Sequence, residues 1–100
     1  MAVRLIKASS IREEYCLSRI ILEEAKNLYT LGDCLSSAEK YGLAAEKLQK
    51  IAGLMETEAE LKEILPMIRM CQAWQKMSAA EETADAALYA DAAALFAKVS

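Results

Sequence analysis

The side chains that could do chemistry in this sequence are three cysteines, Cys16, Cys34 and Cys71, and several pairs of adjacent glutamates. A catalytic cysteine needs a base or a positive environment to form its thiolate, and the sequence contains no histidine. Cys71 falls on an apolar stripe, where burial raises the pKa of a thiol and makes it inert. An odd number of cysteines without a short pairing motif does not predict a disulfide framework. We therefore expect the cysteines to serve as small apolar side chains in a reducing compartment.

The glutamates lie next to each other in sequence, at positions 13–14, 23–24 and 81–82. Adjacent residues of a helix project in different directions, so the two members of a pair cannot converge on one ion. The metal sites of helical bundles also use histidine, and the three glycines are too isolated for a phosphate-binding loop. The sequence thus predicts no metal, no cofactor and no enzymatic activity, with the carboxylates on solvated faces.

One cluster favours a binding role. Met67, Met70, Trp74 and Met77 form an apolar row at helical spacing, which we call the Met/Trp stripe. Methionine adapts to varied partners, and tryptophan is enriched where protein interfaces concentrate their binding energy. An exposed stripe would be a protein-binding patch, whereas a buried one would fill the core; in a longer protein it would also suit the packing of a further helix.

Composition narrows the partners and the location. With 55% hydrophobic and 27% charged residues in 100, the chain is not of the disordered class. Its net charge of −3, without a cluster of lysines and arginines, argues against nucleic acid as a partner. No apolar run approaches the roughly 20 residues that span a bilayer, and the start of the chain does not resemble a signal peptide. We expect no membrane association and a cytoplasmic location.

Four helices must position these side chains. Glycine, proline and valine are scarce while alanine, leucine, glutamate and lysine are abundant, which favours an all-α fold. The first helix is predicted over about 10–31, the second from Asp33 or Ser36 to near Gly53, the third over about 57–82, and the fourth over about 85–99. Residues 1–9 are either a ragged leader or the start of the first helix.

Local signals set these boundaries. Ser10 and Glu13 fit a capping box for the first helix, and the segment from Thr57 to Glu60 fits another for the third. Gly32 is a plausible stop because glycine takes the left-handed conformation without strain, and Asp85 is the predicted cap of the fourth helix. Inside the third helix, Pro66 predicts either a kink or a break into two shorter helices.

Gly42 lies within the second helix. It is either simply tolerated there, at a cost of about 1 kcal/mol relative to alanine, or it lets another backbone approach closely.

A weak internal repeat links the second and fourth helices. A shift of 48 residues brings a tyrosine, two alanines, a large apolar residue, a lysine and a β-branched residue into register, as in Tyr41 with Tyr89 and Ala44 with Ala92. The same shift aligns several apolar residues of the first and third helices, so the chain reads as two helical hairpins. Chance is the alternative, because alanine and leucine are common in this sequence.

The repeated pattern Tyr-x-x-Ala-x-x-x-(Leu or Phe)-x-x-(Ile or Val) resembles the second helix of a tetratricopeptide-like hairpin, over about 31–51 and partly over 89–99. The period is 48 residues rather than the roughly 34 of that family, and Glu39 and Ala87 stand where it has a turn glycine. Tyr29 and Asp33 occupy the places of the family's lysine–asparagine carboxylate clamp, so no binding residue carries over. The resemblance implies peptide or protein binding along one helical face.

Together these observations predict one helical domain over residues 1–100, either complete or the N-terminal part of a longer helical-repeat protein. Its four antiparallel helices form two stacked hairpins or an up-down four-helix bundle. The expected function is a non-catalytic protein-interaction module. The alternatives are a self-associating homodimer, whose surplus apolar stripe is the interface, and a small-molecule carrier with an apolar pocket between helices.

Overall fold

The structure, a computed structural model, describes the backbone of residues 2–99 and the side chains of residues 10–99. Those residues contain no strand, so the all-α prediction is confirmed. The four helices are α1 (Ala2–Thr30), α2 (Cys34–Leu54), α3 (Glu58–Thr83) and α4 (Ala86–Val99).

The helices are joined by very short connections, which makes consecutive helices antiparallel neighbours. Within residues 2–99, extensive packing joins α1 to α2, α2 to α3, and α3 to α4. Packing therefore follows the order of the helices in the chain, and the extents of the molecule are 51 × 25 × 15 Å. These contacts agree with the predicted antiparallel helices, whether they are described as two hairpins or as a bundle.

The core is centred on α2, because this helix has α1 on one side and α3 on the other. Tyr41, Ala44, Leu48 and Ile51 are at most 3% exposed. The main partners of this row are buried residues of the two flanking helices: Leu22 and Ala25 from α1, and Ile64, Ile68 and Cys71 from α3.

The turn between α1 and α2 follows the predicted signals. Gly32 has a φ of +90°, and the backbone N–H of Asp33 donates to the carbonyl of Leu28 at 2.9 Å, as in a glycine-terminated helix end. Asp33 then caps α2, because its carboxylate accepts a hydrogen bond from the Ser36 N–H at 3.2 Å. Ser36 itself lies inside α2, so the alternative start there was wrong.

The caps of the other two helices are also confirmed. The Thr57 hydroxyl oxygen accepts from the Glu60 N–H at 3.2 Å, and the Asp85 carboxylate accepts from the Ala87 N–H at 2.9 Å. Between them α3 runs without interruption through Pro66. The alternative of two shorter helices was therefore wrong.

Of the two alternatives for residues 1–9, a ragged leader or the start of the first helix, the second is confirmed over residues 2–9, while the predicted start near residue 10 was eight residues too late. The helix begins at Ala2, and Ser10 lies inside it, so the capping box at Ser10 does not begin a helix. Most residue types over 2–9 are good helix formers, with alanine, arginine, leucine and lysine among them. A capping signal therefore stands within a segment that can continue the helix in both directions.

The two copies of the internal repeat lie on α2 and α4, in different surroundings. Ala44 and Ala92 are both buried, but Tyr41 is 3% exposed whereas Tyr89 is 42% exposed. The difference arises because α2 is packed between two helices and α4 packs extensively only against α3. Equivalent sequence positions therefore belong to the core in one hairpin and to the surface in the other.

Candidate functional site

A groove runs between α1 and α3, with α2 as its floor, and we call it the α1–α3 groove. Its main cavity has a volume of about 420 Å³. The lining is largely apolar and comes from all three helices: Ile11, Arg12, Tyr15, Cys16, Ile51, Met55, Glu63, Ile64 and Met67.

A second depression continues the groove toward the C-terminal end of α3. It has a volume of about 240 Å³ and shares Met67 with the main cavity. Its other lining residues are Arg19, Leu22, Pro66, Met70, Cys71 and Val99. Along α1 the two depressions extend from Ile11 to Leu22, which is about 16 Å at the 1.5 Å rise of a helix.

The charged groups of the groove are unevenly placed. Arg12 and Arg19 line it from α1, and Glu63 lines it from α3. Both arginines are exposed, and none of the ion pairs between described residues involves either of them. One wall of the groove thus offers two positive charges that pair with no carboxylate of the described residues, and the facing wall offers one carboxylate.

The Met/Trp stripe is divided by the fold. Met67 lines both depressions, and Met70, which is 38% exposed, lines the second. Trp74 and Met77 are half-buried, and neither lines either depression. Two of the four predicted residues therefore face the groove.

Trp74 lies instead in an aromatic cluster that joins all four helices. Its ring contacts Tyr29 of α1 edge-on at 5.2 Å between centroids, stacks on Tyr41 of α2 at 6.0 Å, and contacts Phe96 of α4 edge-on at 5.5 Å. The Tyr29 hydroxyl donates a hydrogen bond of 2.6 Å to the Glu81 carboxylate. Burial, and then this carboxylate, raise the pKa of Tyr29 above its ordinary value.

The three cysteines differ in surroundings. Cys16 is exposed in the groove, whereas Cys71 is 1% exposed beneath it. Burial raises the pKa of the Cys71 thiol to about 11, although the positive charges of Arg19 and Lys26 oppose the shift. Burial, followed by the charge of Glu81, also raises the pKa of Cys34. Cys71 and Cys34 are therefore protonated thiols near neutral pH.

The described residues contain no group of three or more histidine, cysteine, aspartate or glutamate side chains placed to hold a metal ion. None of the helices over residues 2–99 combines the length and the apolar character needed to cross a bilayer.

Sequence reasoning missed most of the groove. Ile11 and Tyr15 lie on α1, and Ile51 and Met55 lie at the C-terminal end of α2, so only the packing of the helices brings them together. The signal that was available is the seven-residue spacing of Arg12 and Arg19, which puts two positive charges on one side of α1, beside the apolar stripe.

Comparison of the chain with protein-family models, with curated proteins and with solved structures gave no match in any of the three.

Proposed function

We propose that this chain is a non-catalytic protein-interaction module that binds a segment of another protein in the α1–α3 groove. The observation that carries the proposal is the groove itself, which is apolar along its floor and open at its rim. Tyr15 and Met70 line it while remaining 40% and 38% exposed. Exposed apolar surface of this kind, rimmed by polar residues, is typical of interaction sites.

The dimensions of the groove suit a polypeptide. A length of about 16 Å corresponds to three turns of helix or about five extended residues. The rim consists of exposed side chains such as Arg12, Tyr15 and Cys16, so a bound segment can enter from the side.

The tetratricopeptide-like resemblance supports the same surface. In the two-hairpin arrangement α1 and α3 are the first helices of successive hairpins, and the groove lies between them. The resemblance implies binding along one such helical face. We also propose a cytoplasmic setting, which suits three cysteines that are all free thiols.

Peptide selection tests this proposal. Peptides would be selected from a random displayed library on the full chain, and their affinities remeasured on Tyr15→Glu and Leu17→Glu. These two residues of α1 are 40% and 39% exposed, and only Tyr15 lines the groove. We expect Tyr15→Glu to weaken the selected peptides at least about tenfold, the loss of roughly one buried apolar anchor, and Leu17→Glu to leave them within about twofold.

Equal losses in the two variants would contradict the proposal, and so would selected peptides that are indifferent to both. Circular dichroism of each variant verifies that the helices are intact.

Self-association is the second candidate, and the exposure of Tyr89 on α4 favours it. Tyr41, its repeat partner, is covered by α3, whereas Tyr89 is 42% exposed. A second copy that covers α4 would explain this apolar surface. Sedimentation equilibrium decides between the candidates: a dimer that Tyr89→Glu dissociates supports self-association, and a monomer at all concentrations removes it.

A further inference from the structure

We infer that the segment recognised by the α1–α3 groove is an acidic amphipathic helix, with carboxylates along the α1 side of the groove and apolar side chains on its floor. The inference rests on the proposed function and names the chemistry of the partner.

Positive side chains follow the α1 edge of the groove. Arg12, Arg19 and Lys26 follow each other at intervals of seven residues, which is two helical turns, so they form one row along α1. Lys26 forms an ion pair with Glu23 at 3.4 Å, whereas the ion pairs between described residues leave Arg12 and Arg19 without a carboxylate. The whole chain carries a net charge of −3, so this positive edge is a local departure that attracts a negative partner.

The facing wall supplies orientation. The charged side chain that lines the groove from α3 is Glu63, so the two edges carry opposite charge. A bound segment with carboxylates on one side is therefore attracted by the α1 edge and repelled by the α3 edge. This difference in charge between the two edges favours the orientation in which the carboxylates of the bound segment face α1.

The floor of the groove offers no hydrogen-bond partners to a peptide backbone. It is built from apolar side chains such as Ile51, Met55 and Ile64, which carry no donors or acceptors. An extended peptide would bury unpaired N–H and C=O groups against this surface, at a cost comparable to lost hydrogen bonds. A helix satisfies those groups internally, and a three-sided trough between helices accepts its ridges. The floor therefore favours a helical occupant.

The two arginines also define a spacing for the carboxylates of a partner. Arg12 and Arg19 are seven residues apart, so their backbone positions are separated by about 10.5 Å along α1. Two carboxylates separated by the same number of residues on a helix that runs alongside α1 reach both arginines. Acidic residues on the outer face of the bound helix would point to solvent and contribute little.

Designed peptides test the inference directly. Three labelled peptides of about 14 residues, or four turns, would share one apolar face of leucine and methionine. The first carries two glutamates seven residues apart, matching Arg12 and Arg19, on one flank of that face; the second carries lysines there; the third carries the glutamates on the outer face. Fluorescence anisotropy with the full chain gives their affinities.

We expect the flank-glutamate peptide to bind at least about tenfold more tightly than the lysine peptide at low salt, because exposed ion pairs contribute modestly but the swap changes attraction into repulsion twice. The outer-face peptide should bind with intermediate affinity. The preference should shrink as salt is raised, because salt screens exposed charges.

Charge-reversal variants provide the control. Arg12→Glu with Arg19→Glu should remove or invert the preference for the flank-glutamate peptide. Lys50→Glu with Arg69→Glu changes the net charge by the same amount at exposed positions that do not line the groove, and should preserve most of it. Equal effects of the two double variants would overturn the inference, because long-range charge would then explain the preference.

The outcomes separate this inference from the proposed function. If all three peptides bind equally and Tyr15→Glu weakens them all, the groove binds helices without reading charge, and only the inference fails. If none binds, the inference is also overturned, while the groove as a binding site is decided by whether library-selected peptides lose affinity on Tyr15→Glu. Library-selected peptides that bind in the α1–α3 groove in extended form would also overturn the inference of a helical partner.

Discussion

Two residues at helix ends adopt backbone conformations that most side chains avoid. Gly32 ends α1 with a φ of +90°, and Ala84 ends α3 with a φ of 55°. The left-handed region costs roughly 1–2 kcal/mol for a residue with a Cβ, whereas glycine enters it freely. Gly32 could be predicted from its residue type, but Ala84 could not, because alanine carries no preference for a positive φ.

Replacing Ala84 should therefore stabilise the protein. We expect Ala84→Gly to raise the free energy of unfolding by about 0.5–1 kcal/mol, since relief of the strained φ exceeds the added entropy of the unfolded chain. Ala90→Gly, at an exposed position inside α4, should lower it by about 0.5–1 kcal/mol. Urea denaturation followed by circular dichroism measures the free energy of unfolding of both variants. If Ala84→Gly destabilised the protein as much as Ala90→Gly, the prediction that glycine relieves strain at position 84 would be wrong.

At the scale of helices, Gly42 of α2 lies against a side chain of α3. A Cβ at this position would lie 2.6 Å from Nε2 and 3.2 Å from Cδ of Gln75. The three nearest atoms all belong to that side chain, so the glycine makes room for a side chain and not for another backbone. The neighbour is the end of a flexible side chain, so the conflict is one that Gln75 can relieve by moving.

A double-mutant cycle tests this contact. We expect Gly42→Ala in the Gln75→Ala background to raise the free energy of unfolding by about 0.5–1 kcal/mol, the helix-propensity difference between the two residues. In the wild-type background, Gly42→Ala should raise the free energy of unfolding by less, or should lower it, because the half-buried Gln75 side chain must move away. Urea denaturation of the four proteins measures the coupling, and strictly additive effects would contradict the contact.

The helix boundaries show which elements the sequence could predict. The caps at Asp33, Thr57 and Asp85 were predictable because each depends on a side chain and an N–H two or three residues away. The start of α1 was not, because the preceding residues favour helix and outweigh one capping signal. For α3 the sequence left a kink and a break at Pro66 open, and the packing of α3 against α2 and α4 favours the continuous helix despite the cost of proline.

At the scale of the whole molecule, the groove depends on the distance between α1 and α3, which both pack against α2. Hydrophobic periodicity predicts which face of a helix is buried, but not the distance between two helices that share a neighbour. Tyr41, Leu48 and Ile51 could thus be assigned to a core, while the α1–α3 groove could not be foreseen. For the same reason, the spacing of its residues identified the Met/Trp stripe as one row. It could not predict that some of these residues line the groove while Trp74 lies in the aromatic cluster.

The methionines supply the most direct test of the groove as the binding surface. Met55 and Met67 line the main cavity, and Met70 lines the second depression. Met77 lies on α3 with Met67 and Met70, but it lines neither depression. With ¹³C-methyl methionine in the full chain, a saturating selected peptide should shift the resonances of Met55, Met67 and Met70 and leave that of Met77 nearly unchanged. A bound peptide that perturbs Met77 alone, or none of these four methyl groups, would contradict binding in the α1–α3 groove.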